Sequence, residues 1–224
     1  VLVQASPSEE ETRQLLALSD PLVAGVVGWT DITSPAIEEN LAALRHPKLV
    51  GIRHGAQSEP DPRWLCRPEV IRGLKAVAAA GLPFDLLVRA HQLPAAVEAV
   101  RAVPELTFVL NHLGKPPIGT TSAWDLRELA ASPNVVAKLS GLPTEANWST
   151  WTIADLRPYV EEALSAFGPG RLMWGSDWPV CLLAATYAQV HSTTDLLTAH
   201  LTPRERESIF TTTATRIYKL STTH

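Results

Sequence analysis

Two apolar segments of this 224-residue chain each run into one ionisable side chain and then break. In 107–114, TFVLNHLG, that side chain is His112; in 171–180, RLMWGSDWPV, it is Asp177. A carboxylate at such a point can take a proton from water, and an imidazole can polarise a carbonyl or bind a metal ion. The pair therefore marks the chain's candidate site for chemistry. Each residue also has a plainer reading. His112 could be a satisfied core histidine at a strand end, and Asp177 a turn or helix-capping aspartate ahead of Pro179.

Positioning the two requires strands that end on the same side of a sheet. Short β-branched or apolar runs at 1–6, 23–32, 48–54, 84–91, 106–113, 134–141 and 171–175 alternate with helix-like stretches. Helical start and stop signals lie between them. Ser8 with Glu11 and Thr202 with Glu205 have capping-box spacing, Pro35 and Pro68 suit first helical turns, and Gly81 and Gly168 suit helix ends. Strand and helix in strict alternation specify an α/β fold with a parallel sheet under helices. Seven units fall one short of the eight strands of a closed (β/α) barrel. The expected architecture is thus an incomplete TIM-like barrel lacking the first βα unit, in one domain spanning 1–224. A doubly wound sheet is the rival, but no strand is followed by a G-x-G-x-x-G phosphate loop.

Alternation along the strands places further side chains. In 134–141, Val135, Ala137 and Leu139 form the helix-facing side, so Lys138 points inward. In 84–91, Phe84, Leu86, Val88 and Ala90 face out, which puts Asp85, Leu87, Arg89 and His91 inside. Asp85 and Arg89 either pair with each other or leave Arg89 to meet an anionic ligand. Arg53 and His54 are neighbours on opposite faces, and one of them reaches the strand-end mouth. Arg53, His54, Arg89, Lys138 and Trp178 are the candidate substrate-binding residues. Trp29, Trp174 and Trp178 flank strand ends, as pocket walls or as core; His46, His91, His191 and His200 read as surface residues.

Composition narrows the partners. Nineteen basic against twenty-three acidic residues give a net charge of −4, with no basic footprint for nucleic acid or an anionic membrane. No apolar run is long enough to span a bilayer. Cys66 and Cys181 have no metal-ligand spacing and read as reduced thiols, which with the lack of a leader sequence suggests a cytoplasmic protein. A small-molecule substrate is the expected partner.

The segments GVVGWTDI, KLVGIRHGAQSEPD, FVLNHLGKP, VVAKLSGL and RLMWGSDWPV together resemble the amidohydrolase-related family of TIM-barrel hydrolases, most closely its lactonase branch. The resemblance implies hydrolysis of a lactone of a sugar acid or related carboxylic acid. It puts the family's histidine of the sixth-strand region on His112 and its eighth-strand aspartate on Asp177. The family's first-strand His-X-His has no counterpart here, and Thr213-Ala214 stands where relatives carry Asn-Ala. The chain is therefore expected to lack its natural N-terminus and to be a poor catalyst without that strand. It is also expected to hold no metal tightly, although His112 and Asp177 would ligate one divalent ion, zinc for instance, in a full-length enzyme. The open barrel edge would favour homo-oligomers. The alternatives are a metal-dependent decarboxylase on the same barrel and a non-catalytic barrel remnant.

Overall fold

Strands that are apolar on both sides need cover on both faces, and the computed structural model, which describes residues 1–221, provides it. Seven parallel strands lie side by side in sequence order: β1 (Leu2–Val3), β2 (Val26–Gly28), β3 (Leu49–His54), β4 (Phe84–Leu86), β5 (Phe108–Leu110), β6 (Val135–Leu139) and β7 (Leu172–Trp174). Among the described residues β1 and β7 form the two edges, so the sheet curls into a TIM-like barrel that is not closed. Among the described residues ten α-helices join or follow the strands: α1 (Glu9–Leu16), α2 (Ile37–Ala43), α3 (Pro68–Ala79), α4 (Leu93–Ala102), α5 (Arg127–Ala130), α6 (Leu142–Glu145), α7 (Ile153–Phe167), α8 (Tyr187–Leu197), α9 (Pro203–Glu207) and α10 (Thr213–Ile217). None is long and apolar enough to cross a membrane.

Two apolar layers result. The larger lies between sheet and helices and contains Ile52, Leu74, Phe84, Phe108, Leu110 and Leu139. The smaller lines the concave side with Val27, Val50, Val109, Val136 and Met173, and Tyr218 from the C-terminal segment packs against it. The β2–β3 register slips by one residue, pairing Val26 with Leu49 but Val27 with Gly51. This irregularity puts Val50 and Arg53 on the same side, which unbroken alternation forbids for residues three apart. Arg53 thus faces inward, and His54 lies outside, against Trp29 and Trp64.

The signalled helix starts at Ser8, Pro68 and Thr202 hold, and two further threonine caps join them. Ser8, Thr152, Thr186 and Thr202 each accept from a backbone N–H in the first turn, and Pro68 begins α3. Two expectations need correction. The stretch 84–91 is a strand only to Leu86, because Ala90–Gln92 coils into a 3-10 turn. The buried Gln92 side chain accepts from the Arg89 N–H and donates to the Ala56 carbonyl, so Arg89 and His91 are exposed rather than inward. Pro35 does not open a helix either: Ser34 Oγ accepts from the Ala36 N–H, and α2 starts at Ile37.

The concave side carries one buried polar layer. Asp85 has no solvent exposure and accepts from Lys138 Nζ at 2.5 Å, Asn111 Nδ2 at 3.0 Å and Tyr218 Oη at 2.9 Å. Lys138 points inward, but its charge goes to Asp85; Arg89 is not the partner. Burial lowers the Lys138 ammonium's pKa, and the Asp85 carboxylate opposes that shift. Removing one member of a buried pair leaves the other uncompensated. Lys138→Met should therefore cost about 3 kcal/mol, the low end of the range for breaking such pairs because two neutral donors remain on Asp85. Urea unfolding followed by circular dichroism measures it.

Candidate active site

The loops after β5, β6 and β7 meet above this polar layer. His112 follows β5 in a turn where four successive residues, His112 (φ 52°), Leu113 (φ 50°), Gly114 (φ 70°) and Lys115 (φ 54°), are left-handed. Only the glycine adopts that region freely; the others each cost about 1–2 kcal/mol. The turn is held by the Lys115 N–H donating to the His112 carbonyl at 2.8 Å and by Trp124 Nε1 donating to the Leu113 carbonyl at 2.8 Å. Asp177 is left-handed as well (φ 57°), in the loop that leaves β7. Strain of this kind persists where the surroundings over-determine a side chain's position.

Its consequence is convergence. His112 Nδ1 lies 2.8 Å from Ser140 Oγ, just past β6, and His112 Nε2 lies 3.5 Å from Asp177 Oδ1. That second distance is long for a hydrogen bond but lets both atoms touch one water. Both side chains are largely buried, at 12% and 13% exposure. Burial pushes the Asp177 carboxyl up to about 6; Lys115, Arg53 and Lys138 pull it down, and Glu145 adds to the rise. Burial also holds His112 well below the usual histidine range, assisted by Lys138, Lys115 and Arg53. A neutral imidazole therefore faces a carboxylate that is partly protonated near pH 6.

The other sequence candidates take distinct places. Arg53 donates to the Gln4 carbonyl and points Nη1 towards Asn111 Oδ1, while its buried Nε has no partner among the described residues. Gln4 Oε1 is likewise buried and unpartnered. His54 has both ring nitrogens engaged: Nδ1 accepts from Trp29 Nε1 at 3.3 Å, and Nε2 lies 2.7 Å from Glu59 Oε1. It stacks on Trp64 at 4.2 Å and so forms a wall rather than a proton carrier. Arg89 is exposed beyond the end of β4, with no side-chain ion pair among the described residues. Trp178 is 62% exposed and begins an apolar rim continued by Val180, Leu182 and Leu183. Trp174 faces away from the site, against Tyr187, His191 and Phe210.

Several site residues carried no sequence signal strong enough to single them out. Lys115 pairs with Glu145 at 3.1 Å, and Gly141 (φ 68°) leaves no room for a β-carbon, which would lie 2.7 Å from His112 Nδ1. The motif NHLGKP contains Lys115, but its left-handed path is invisible in residue types apart from Gly114. Glu145 looks like any helix-end acid.

A carboxylate and an imidazole meet at the strand ends of a parallel βα repeat, the end at which TIM-barrel enzymes carry their active sites. The chain belongs to the amidohydrolase family, whose sequence pattern matches residues 1–220. It is 41% identical over 238 aligned residues to the L-fucono-1,5-lactonase of Burkholderia multivorans, covering 98% of this chain and 80% of that protein. It is 42% identical over 194 residues to the L-fucono-1,5-lactonase of Burkholderia ambifaria, covering 84% of this chain and 67% of that protein. The crystal structure of an amidohydrolase from Burkholderia multivorans with bound zinc superposes with a TM-score of 0.93 at 39% identity, over 98% of this chain and 82% of that one.

A catalytic zinc ion ordinarily takes three protein ligands and keeps one open position. Here His112 Nε2 and Asp177 Oδ1 lie close enough to share an ion, but no group of three His, Cys, Asp or Glu side chains assembles among the described residues. The donors among the described residues do not by themselves complete such a site.

Because Gly141 is both left-handed and in contact with the imidazole, Gly141→Ala should lower stability by about 1–2 kcal/mol, the cost of a β-carbon in that region. It should also displace the His112 ring, which the histidine ring signals in a proton–nitrogen correlation spectrum would report.

Proposed function

We propose that the protein is a hydrolase of sugar-acid lactones in which Asp177 activates water. The observation that carries this is the approach of His112 Nε2 to Asp177 Oδ1 at 3.5 Å, in a buried mouth at the strand ends. The 41% identity to an L-fucono-1,5-lactonase supports a lactone rather than a decarboxylation substrate.

The steps follow from the groups present. Water held by Asp177 gives a proton to the carboxylate as its oxygen bonds to the lactone carbonyl carbon. The carbonyl electron pair moves onto oxygen, where His112, kept neutral by burial, can donate a hydrogen bond from Nε2 when Ser140 fixes that tautomer. Collapse restores the carbonyl and breaks the ring carbon–oxygen bond. The departing oxygen takes the proton back from Asp177. The product is an open hydroxy acid, which ionises in solvent. A divalent ion belongs to this proposal only in outline. The zinc-bound relative suggests that one serves in the family, with His112 and Asp177 as this chain's contribution, and no step above depends on it.

Asp177 acts as base only when ionised, and its carboxyl is raised to about 6. Activity should therefore fall as pH drops through about 6, instead of through the ordinary carboxylate range. Asp177→Asn should remove more than about 99% of turnover while leaving the circular dichroism spectrum unchanged, since general base catalysis contributes about 100-fold or more. A pH-indicator assay over a panel of aldonolactones measures both. Undiminished hydrolysis by Asp177→Asn would remove Asp177 as the base.

A further inference from the structure

Three cationic side chains surround the mouth, and two of them are bound into the floor beneath it. Lys138 is committed to Asp85 beneath the site. Arg53 is clasped to Gln4 and Asn111. Lys115 meets a single carboxylate oxygen, Glu145 Oε1, at 3.1 Å, and no other side-chain partner of its ammonium occurs among the described residues. An ammonium has three N–H donors, so two remain open. Lys115 and Glu145 are nonetheless largely buried, at 20% and 18% exposure, unlike the surface pair Arg63–Glu98 at 61% and 49%. A pair that serves only the surface does not need this depth.

The backbone points the same way. Lys115 ends the left-handed turn that begins at His112, so one distorted segment delivers both the imidazole and the ammonium. Glu145 closes α6, which starts directly after Gly141, the residue whose bare α-carbon accommodates the His112 ring. The Thr144 hydroxyl donates to the Gly141 carbonyl at 2.8 Å and ties that short helix back to the site. The Lys115 charge also lowers the pKa of both His112 and Asp177.

We propose that Lys115, held in place by Glu145, is a further catalytic residue: its ammonium contacts the lactone carbonyl oxygen and stabilises the negative charge that develops there as water adds. This rests on the lactonase reading above. The proton still travels from water to Asp177 and on to the departing ring oxygen; Lys115 transfers none and supplies fixed positive charge where the carbonyl electron pair arrives. The ionised open aldonate presents a carboxylate where the lactone has a neutral carbonyl, so Lys115 also recognises it more strongly than the lactone.

The test compares Lys115→Met, Lys115→Arg and the double variant Lys115→Met/Glu145→Met, with steady-state kinetics on L-fucono-1,5-lactone and calorimetric binding of L-fuconate. The expected result is a loss of 100-fold or more in kcat for Lys115→Met, with KM changed less than threefold, because the contact forms mainly in the transition state. Lys115→Arg should keep at least a tenth of kcat. The double variant removes the orphaned carboxylate and should fold as well as the parent, yet stay as slow as Lys115→Met. L-fuconate should bind at least tenfold more weakly to both methionine variants. Recovery of kcat in the double variant would assign Lys115 a purely structural role as the partner of Glu145 and overturn the proposal, as would a Lys115→Met kcat within threefold of the parent. If the parent hydrolyses no lactone, the lactonase reading falls on that ground alone, and L-fuconate binding then decides: a tenfold loss supports the Lys115 anion contact, and equal binding refutes it.

Discussion

A carboxylate with no access to water must be compensated on the spot, and Asp85 is that carboxylate here. Its partners arrive from separate parts of the chain: Lys138 from β6, Asn111 from the end of β5 and Tyr218 from beyond α10. One buried charge therefore ties β4, β5 and β6 to the C-terminal segment and fixes how tightly the sheet curls there. It also sets the floor of the site. With Lys138 and Asn111 held below, the loops after β5 and β6 can bring His112 and Ser140 together only above them. A hydrophobic replacement could be equally stable, but it would leave no polar base from which Lys138 and Arg53 act on Asp177.

Burial then does at the mouth what the ion pair does at the floor. The same desolvation raises Asp177 and lowers His112, so the two lose their charges towards each other from opposite directions. Left in water, an aspartate is too weak a base to take a proton from water efficiently, and a histidine near neutral pH is partly cationic. Within the mouth, the carboxylate becomes a stronger base and the imidazole a neutral donor or acceptor. The surrounding lysines and Arg53 limit the rise of Asp177, so the group still ionises at neutral pH. The strained turns at His112–Lys115 and Asp177 are the structural cost of this arrangement.

Much of this was legible in the residues. The parallel order of seven strands followed from alternating apolar runs and helix caps, and the inward aim of Lys138 followed from its apolar neighbours on the other face. What failed did so for local reasons. Alternation stops short of Arg89 because Gln92 captures the Arg89 backbone, which nothing in the residue types announces. Arg53 and His54 could not be separated because a register slip at Val50 is a property of the pairing between strands, not of one strand. The Lys115–Glu145 pair joins residues thirty positions apart through a left-handed turn that a non-glycine sequence does not advertise. Motifs named the strand ends correctly, but the loops beyond them became readable only in three dimensions.

The central claim is that Asp177 delivers water to a lactone carbonyl and never bonds to the substrate itself. Hydrolysis of L-fucono-1,5-lactone in oxygen-18 water, followed by mass spectrometry of product and protein, tests it most directly. The account predicts one heavy oxygen in the product carboxylate, none in the hydroxyl released from the ring, and none in the peptide that contains Asp177 after many turnovers. Heavy oxygen in the Asp177 carboxylate would mean that this residue attacks the carbonyl as a nucleophile, and the account of the site would be wrong.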